Sequence, residues 1–141
     1  MRILAIDYGD VRTGLAVCDK KEFLASPLKV IRQKNADILA DQIAEVVKQE
    51  NIDHIILGLP KNMDSSLGFR AQKSLDLAEK LREILSIEVE LWDERLTTVS
   101  AIEALNATNV RGEKRKNVID AVAATIMLQD YLDYRKNSGL F

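Results

Sequence analysis

The spacing of apolar positions changes along the chain, and each change marks an element. An apolar run through Ile3, Leu4, Ala5 and Ile6 is followed, after "DYGDVRT", by a second run over Gly14–Cys18. Continuous apolar runs of this length predict strands buried on both faces. A third strand is predicted over Phe23–Ile31 after a turn at "DKKE". Short turns join these three segments, so they form an antiparallel meander, with Pro27 placing the third at an edge. The period then becomes helical. "ADILADQIAEVVKQEN" sets Ile38, Leu39, Ile43, Val46 and Val47 on one stripe. "IDHIILGLP" is a fourth strand, "GFRAQKSLDLAEKLREIL" a second amphipathic helix and "IEVELWDE" a fifth strand. "LTTVSAIEALNA" begins at Thr97 or Thr98, both good helix caps. After a basic loop, "NVIDAVAATIMLQDYLDYRK" is apolar around most of its circumference until Gln129, which predicts a buried helix.

Strand–helix–strand–helix–strand implies parallel neighbours joined by right-handed crossovers. The expected fold class is α/β: a mixed five-stranded sheet, three-strand antiparallel meander plus two parallel strands, with helices on both faces. The 141 residues fit one domain over 1–141. No apolar stretch reaches the roughly 18 residues of a membrane span, and the N-terminus enters a strand with no signal-peptide pattern. A cytoplasmic protein without a membrane partner is expected.

Composition narrows the chemistry. Cys18 is the only cysteine and His54 the only histidine, each inside an apolar strand, where a structural role is the better reading. Thiolate or histidine-rich metal sites and serine or cysteine triads therefore lack their parts. Carboxylates are left to do any catalysis. The net charge of −2 neither requires nor excludes a nucleic-acid partner, although "RGEKRK" puts four cations within six residues.

In sheets of this kind, ligand-binding groups collect at the carboxyl ends of the parallel strands. Asp7 ends the first strand, Gly58-Leu59-Pro60 the fourth and Asp93-Glu94 the fifth. With the fourth strand between the others, Asp7 and the acidic pair stand about 10 Å apart across the backbones. Asp120 lies near the start of the last helix, whose small Ala121, Ala123 and Ala124 allow close approach to the sheet. Each acid has a plainer reading: Asp7 as a turn residue, Asp93 and Glu94 as solvated acids, Asp120 as partner of Asn117 in a capping box. Convergence of three at one edge would raise their pKa values by repulsion. A divalent cation relieves this, and oxygen-only ligands favour Mg²⁺ or Mn²⁺.

"AIDYGDVRTGLAV", "IILGLPKNMD", "ELWDERLTT" and "VIDAVAATIMLQDYL" resemble, in order and across nearly the whole chain, the signature segments of the YqgF family, also called RuvX, of Holliday junction resolvase-like proteins. The resemblance implies a ribonuclease H-like fold related to the RuvC resolvases and metal-dependent cleavage of nucleic-acid phosphodiesters. It also implies maturation of the 5′ end of the small-subunit rRNA precursor, or cutting of branched DNA. The family's acidic positions fall on Asp7, Glu94 and Asp120. Asp93 is the weaker ligand, since adjacent strand residues face opposite ways. Ser65-Ser66 follow "KNMD" where the family usually has Gly followed by Ser or Thr.

Two Mg²⁺ ions held by these acids would activate water and stabilise the leaving 3′ oxygen. Arg12 and Arg95 flank the acids and can grip a phosphate or pair with a carboxylate. Lys61, Arg70 and the loop cations Lys114, Arg115 and Lys116 are further candidates for backbone contacts. No aromatic-rich surface suggests base stacking. A four-way junction substrate would call for a homodimer, because two strands must be cut. Two competing classes stay open: an ATP-binding domain, since "DYGDVRTG" also resembles the first phosphate loop of actin-like and sugar kinases, and a non-catalytic RNA-binding assembly factor on the same fold.

Overall fold

The computed structural model describes residues 1–60, 66–94 and 112–138, the side chains of 112–120 excepted. Five strands form one sheet: β1 (Ile3–Asp7), β2 (Arg12–Cys18), β3 (Ala25–Arg32), β4 (His54–Leu59) and β5 (Glu88–Asp93), in the order β3-β2-β1-β4-β5. β2 is antiparallel to β1 and β3, while β1, β4 and β5 run parallel. The mixed sheet and its meander are as the sequence predicts. β1 is central, so its apolar run has no solvent face: Ile3, Leu4, Ala5 and Ile6 are all fully buried.

Two clusters cover the faces. On one, Leu4, Ile6, Leu15, Ile55 and Leu57 pack against α1 (Ala36–Gln49) and α2 (Phe69–Ile84). On the other, Ile3, Ala5, Ala16, Ile56 and Trp92 pack against α3 (Gly112–Asn137) through Ala124, Met127, Leu128, Tyr131 and Leu132. Each large aliphatic side chain buried this way stabilises the fold by about 1.5–3 kcal/mol relative to exposure. The Asn35 side chain caps α1 by accepting from the Asp37 and Ile38 amides at 2.9 and 3.1 Å. Gln129 ties α3 to the start of β3, accepting from the Ala25 amide at 3.0 Å and donating to the Phe23 carbonyl at 3.2 Å.

Several boundaries differ from the sequence reading. β2 begins at Arg12, because Thr13 is fully buried and Arg12 pairs with Arg32 across the ladder. β3 begins at Ala25: the Asp19 carboxylate accepts from the Phe23 and Leu24 amides, extending the preceding turn. Pro27 does lie on an edge strand, and the register slips beside it, from Leu15↔Lys29 to Ala16↔Pro27, so that Leu28 is a bulge. Ile38 turns outward and Ala40 inward on α1.

The largest correction concerns the basic segment. Lys114, Arg115 and Lys116 belong to the first turns of α3 rather than to a loop. Glu113 and the three cations are straight-chain residues with good helix propensity, and charge alone does not end a helix. Residue 120 therefore sits more than two turns inside α3, which removes the capping-box reading with Asn117. Among the described residues α3 is buried along one stripe and half-buried beside it up to Leu132, and mostly exposed from Asp133 on. The helix expected at "LTTVSAIEALNA" and its Thr97 or Thr98 cap lie outside the described residues.

Candidate metal centre and nucleic-acid interface

Strand alternation decides which acids share a face. Ile3 and Ala5 face α3, and Asp7 continues that series; so do Ile56 and Gly58 on β4, and Trp92 and Glu94 at the end of β5. Gly58 pairs with Trp92, and Asp7 lies one residue beyond the Ile6↔Leu57 pair. A β-carbon on residue 58 would overlap Glu94 Oε1 and stand 3.0 Å from both Cγ and Cδ. Glu94 thus lays its carboxyl group across the bare backbone of β4 towards β1, where it shares a side-chain hydrogen bond with Asp7.

Two carboxyl groups in contact need a proton or a cation between them. Burial pushes the Glu94 carboxyl above its ordinary pKa; the Asp7 bond and the Arg70 guanidinium act in the opposite sense, and the Asp93 charge adds to the rise. Burial outweighs the two groups that favour the charged form of Glu94. Oxygen donors alone, partly desolvated and without cysteine or histidine, fit a hard divalent cation.

The backbone of α3 brings residue 120 towards the same edge. Tyr131 sits at the amino ends of β4 and β5, bonded to Glu90 at 2.8 Å and to His54 at 3.4 Å. Position 120 is eleven residues earlier in the helix, roughly 16 Å along its axis. The strand path from His54 to Gly58 covers about 13 Å. Position 120 also falls on the stripe of Ala124, Leu128 and Tyr131, which faces the sheet.

Cations gather beside the acids. Gly9, Asp10, Val11, Arg12 and Arg70 line an open cleft of about 370 Å³. At Gly9 a β-carbon would overlap the Arg12 carbonyl oxygen, so the turn closes this tightly only with glycine. Arg70 lies near both Asp10 and Glu94. Lys73 donates to the Asp10 carboxylate at 2.8 Å, and that bond is the main reason the Asp10 pKa is lowered. Asp10 and Lys73 escaped the sequence reading; Lys73 lies one turn after Arg70 on the helix, the only signal that could have flagged it. Lys61 and Arg95 lie outside the described residues, as do the side chains of Lys114, Arg115 and Lys116.

A second group of possible metal donors, His54, Glu88 and Glu90, is at the opposite edge of the sheet. His54 Nε2 is 3.0 Å from Glu90 and its Nδ1 3.9 Å from Glu88. These residues, with Tyr131, clamp α3 to the amino ends of β4 and β5. They add nothing to the Asp7–Glu94 centre. Cys18 is buried in the ladder, and its thiol is raised in pKa by that burial.

The chain matches the family described as "RuvX: Holliday junction resolvase" over residues 1–134. It is 44% identical over 139 residues to a protein of Caldanaerobacter subterraneus subsp. tengcongensis, covering 98% of this chain and all of that one. A Clostridium botulinum protein is 41% identical over 133 residues, covering 94% of this chain and 97% of that one. Both carry the name "Putative pre-16S rRNA nuclease". Among solved structures, Thermus thermophilus RuvC in complex with a Holliday junction substrate aligns with a TM-score of 0.62 at 13% identity, covering 95% of this chain and 96% of that one. The fowlpox virus Holliday junction resolvase aligns at 0.58 and 14% identity, covering 95% and 99%. These last two likenesses establish the ribonuclease H-like fold.

Proposed function

This chain belongs to the RuvX family, and from that premise we propose that it is a divalent-metal-dependent endonuclease whose physiological reaction is 5′-end maturation of the pre-16S rRNA in the cytoplasm. The names of its relatives at 41–44% identity support the choice of RNA. The observation that carries the nuclease reading is the contact of Glu94 with Asp7 across Gly58.

Asp7, Glu94 and Asp120 are the proposed ligands and catalytic acids. The cation, Mg²⁺ or Mn²⁺, supplies Lewis acidity for attack by water and for departure of the 3′ oxygen. The protein's own groups do the positioning. Gly58 leaves the space through which Glu94 reaches Asp7, and the buried face of α3 fixes the approach of residue 120. Arg70 and Arg12 border the cleft where a phosphate would lie, and a guanidinium can hold two of its oxygens at once. Lys73, held by Asp10, adds a cation at the outer rim. Lys61, Arg95, Lys114, Arg115 and Lys116 are proposed backbone contacts on sequence grounds.

Cutting a single RNA strand needs one copy of the chain, whereas resolving a four-way junction needs two. The family description favours that second reading, a resolvase acting on branched DNA as a homodimer. A side-by-side assay with Mg²⁺ and with Mn²⁺, on a precursor rRNA fragment and on a four-way DNA junction, separates them. Preferential RNA cleavage that is lost in Asp7, Glu94 and Asp120 variants supports rRNA processing. Preferential junction cleavage overturns it in favour of the resolvase, and cleavage of neither substrate leaves a non-catalytic assembly factor.

A further inference from the structure

Phe69 opens α2 with 78% of its surface exposed, more than any other large apolar side chain among the described residues. Helix phase explains why it cannot join the core. Ala71, Ser74, Leu77, Ala78 and Leu81 make the buried stripe of α2, whereas Phe69 shares the outer face with Lys73, Asp76 and Lys80. Yet the ring is not adrift. The Lys73 ammonium sits 5.0 Å from its centroid and also bonds Asp10, in the turn that follows Asp7. An exposed phenyl ring is therefore held, through Lys73, next to Asp10 and to Arg70, two residues that line the cleft.

We propose that Phe69 is a stacking platform for an unpaired nucleobase next to the cleaved phosphodiester, with Lys73 and Arg70 meeting the flanking phosphates. This rests on the nuclease reading for its substrate class and deepens it: the strand enters with a base out of its duplex. Ring and cations are complementary to a base and the phosphates on either side of it, the combination by which unpaired strands are held. A continuous duplex buries its base faces in its own stack and offers this ring nothing to cover.

The test uses the full chain without divalent metal, so that binding is read apart from cleavage. Single-stranded RNA and DNA oligonucleotides of one sequence, carrying 5-iodouracil at successive positions, are bound, irradiated and mapped by mass spectrometry. A crosslink to Phe69 at one position is expected, retained in Phe69→Trp and Phe69→Tyr. Phe69→Leu should lose it and bind about tenfold more weakly, with unchanged thermal unfolding because the side chain is exposed. A crosslink in only one of the two oligonucleotides would support the platform and identify the sugar it prefers. Crosslinks elsewhere, wild-type affinity in Phe69→Leu, a change of oligomeric state in that variant, or no oligonucleotide binding would each overturn the proposal. Failure of the wild type to cleave RNA or junctions while the Phe69 crosslink persists would instead sink the nuclease reading alone.

Discussion

Gly58 and Glu94 interlock: the side chain of Glu94 fills the space that any side chain on residue 58 would need. Adding a single methyl group at residue 58 would overlap Glu94 Oε1, so Gly58→Ala must drive the carboxyl group away from Asp7. Displacing a catalytic group by about an ångström costs on the order of a hundredfold in rate. Single-turnover cleavage by Gly58→Ala should fall by roughly that factor, with thermal unfolding within a few degrees of wild type, since alanine suits a strand at least as well as glycine. Full activity would show that Glu94 has no positional role.

Asp7→Asn keeps the shape of the side chain and removes one of two crowded carboxyl groups. Cleavage with Mg²⁺ or Mn²⁺ should disappear, while stability stays level because the amide can still donate a hydrogen bond to Glu94. The same variant checks metal binding. A cation that binds only the folded chain raises stability by about 2.7 kcal/mol at a hundred times its dissociation constant. Wild-type melting temperature should climb with added Mg²⁺, and that of Asp7→Asn should not. Equal shifts in both would remove Asp7 from the ligand set.

Tyr131 provides a test by pH. Burial and, after it, the bond to Glu90 push its phenol up to about 12 from an ordinary value of 10. The fold favours the neutral phenol. Its contribution is therefore complete below pH 10 and is lost as pH rises from 10 through 12. Tyr131→Phe should cost about 0.5–1.5 kcal/mol near neutrality through the lost hydrogen bond. The gap between wild type and variant should close between pH 10 and 12 in denaturant unfolding. A constant gap across that range would place the titrating phenol elsewhere.

The parts of this molecule legible in the sequence are those set by apolar periodicity and strand order. The run Ile3–Ile6 has only one environment open to it, a central strand, and the order around it follows from connection lengths. Asp7 and Glu94 could be matched because a strand end is a fixed address. Phe69 and Lys73 could not, since their meaning depends on helix phase relative to a core that the sequence does not display. The basic segment misled for a related reason: lysines and arginines read as solvated whether they lie in a loop or on a helix, and only the backbone distinguishes the two. That error matters here, because it put Asp120 at a helix start instead of on the stripe that docks against the sheet.

The docking of that stripe makes a final prediction. Ala124 is fully buried in the cluster that includes Ile3, Ala5, Ala16 and Ile56, one turn after position 120. The small side chains on both sides let α3 lie close to the strands. Ala124→Leu adds an isopropyl group where there is no room, at a cost of about 1–3 kcal/mol. The helix relieves the overlap by moving away from β1 and β2, and residue 120 moves with it. Cleavage should then fall by tenfold or more under conditions where circular dichroism shows the variant folded, with a higher Mg²⁺ concentration needed for half-maximal rate. Ala124→Ser, close in volume, should leave that metal requirement unchanged. If Ala124→Leu loses stability and keeps the wild-type metal requirement, α3 stabilises the sheet without positioning Asp120, and the third ligand must come from elsewhere in the chain.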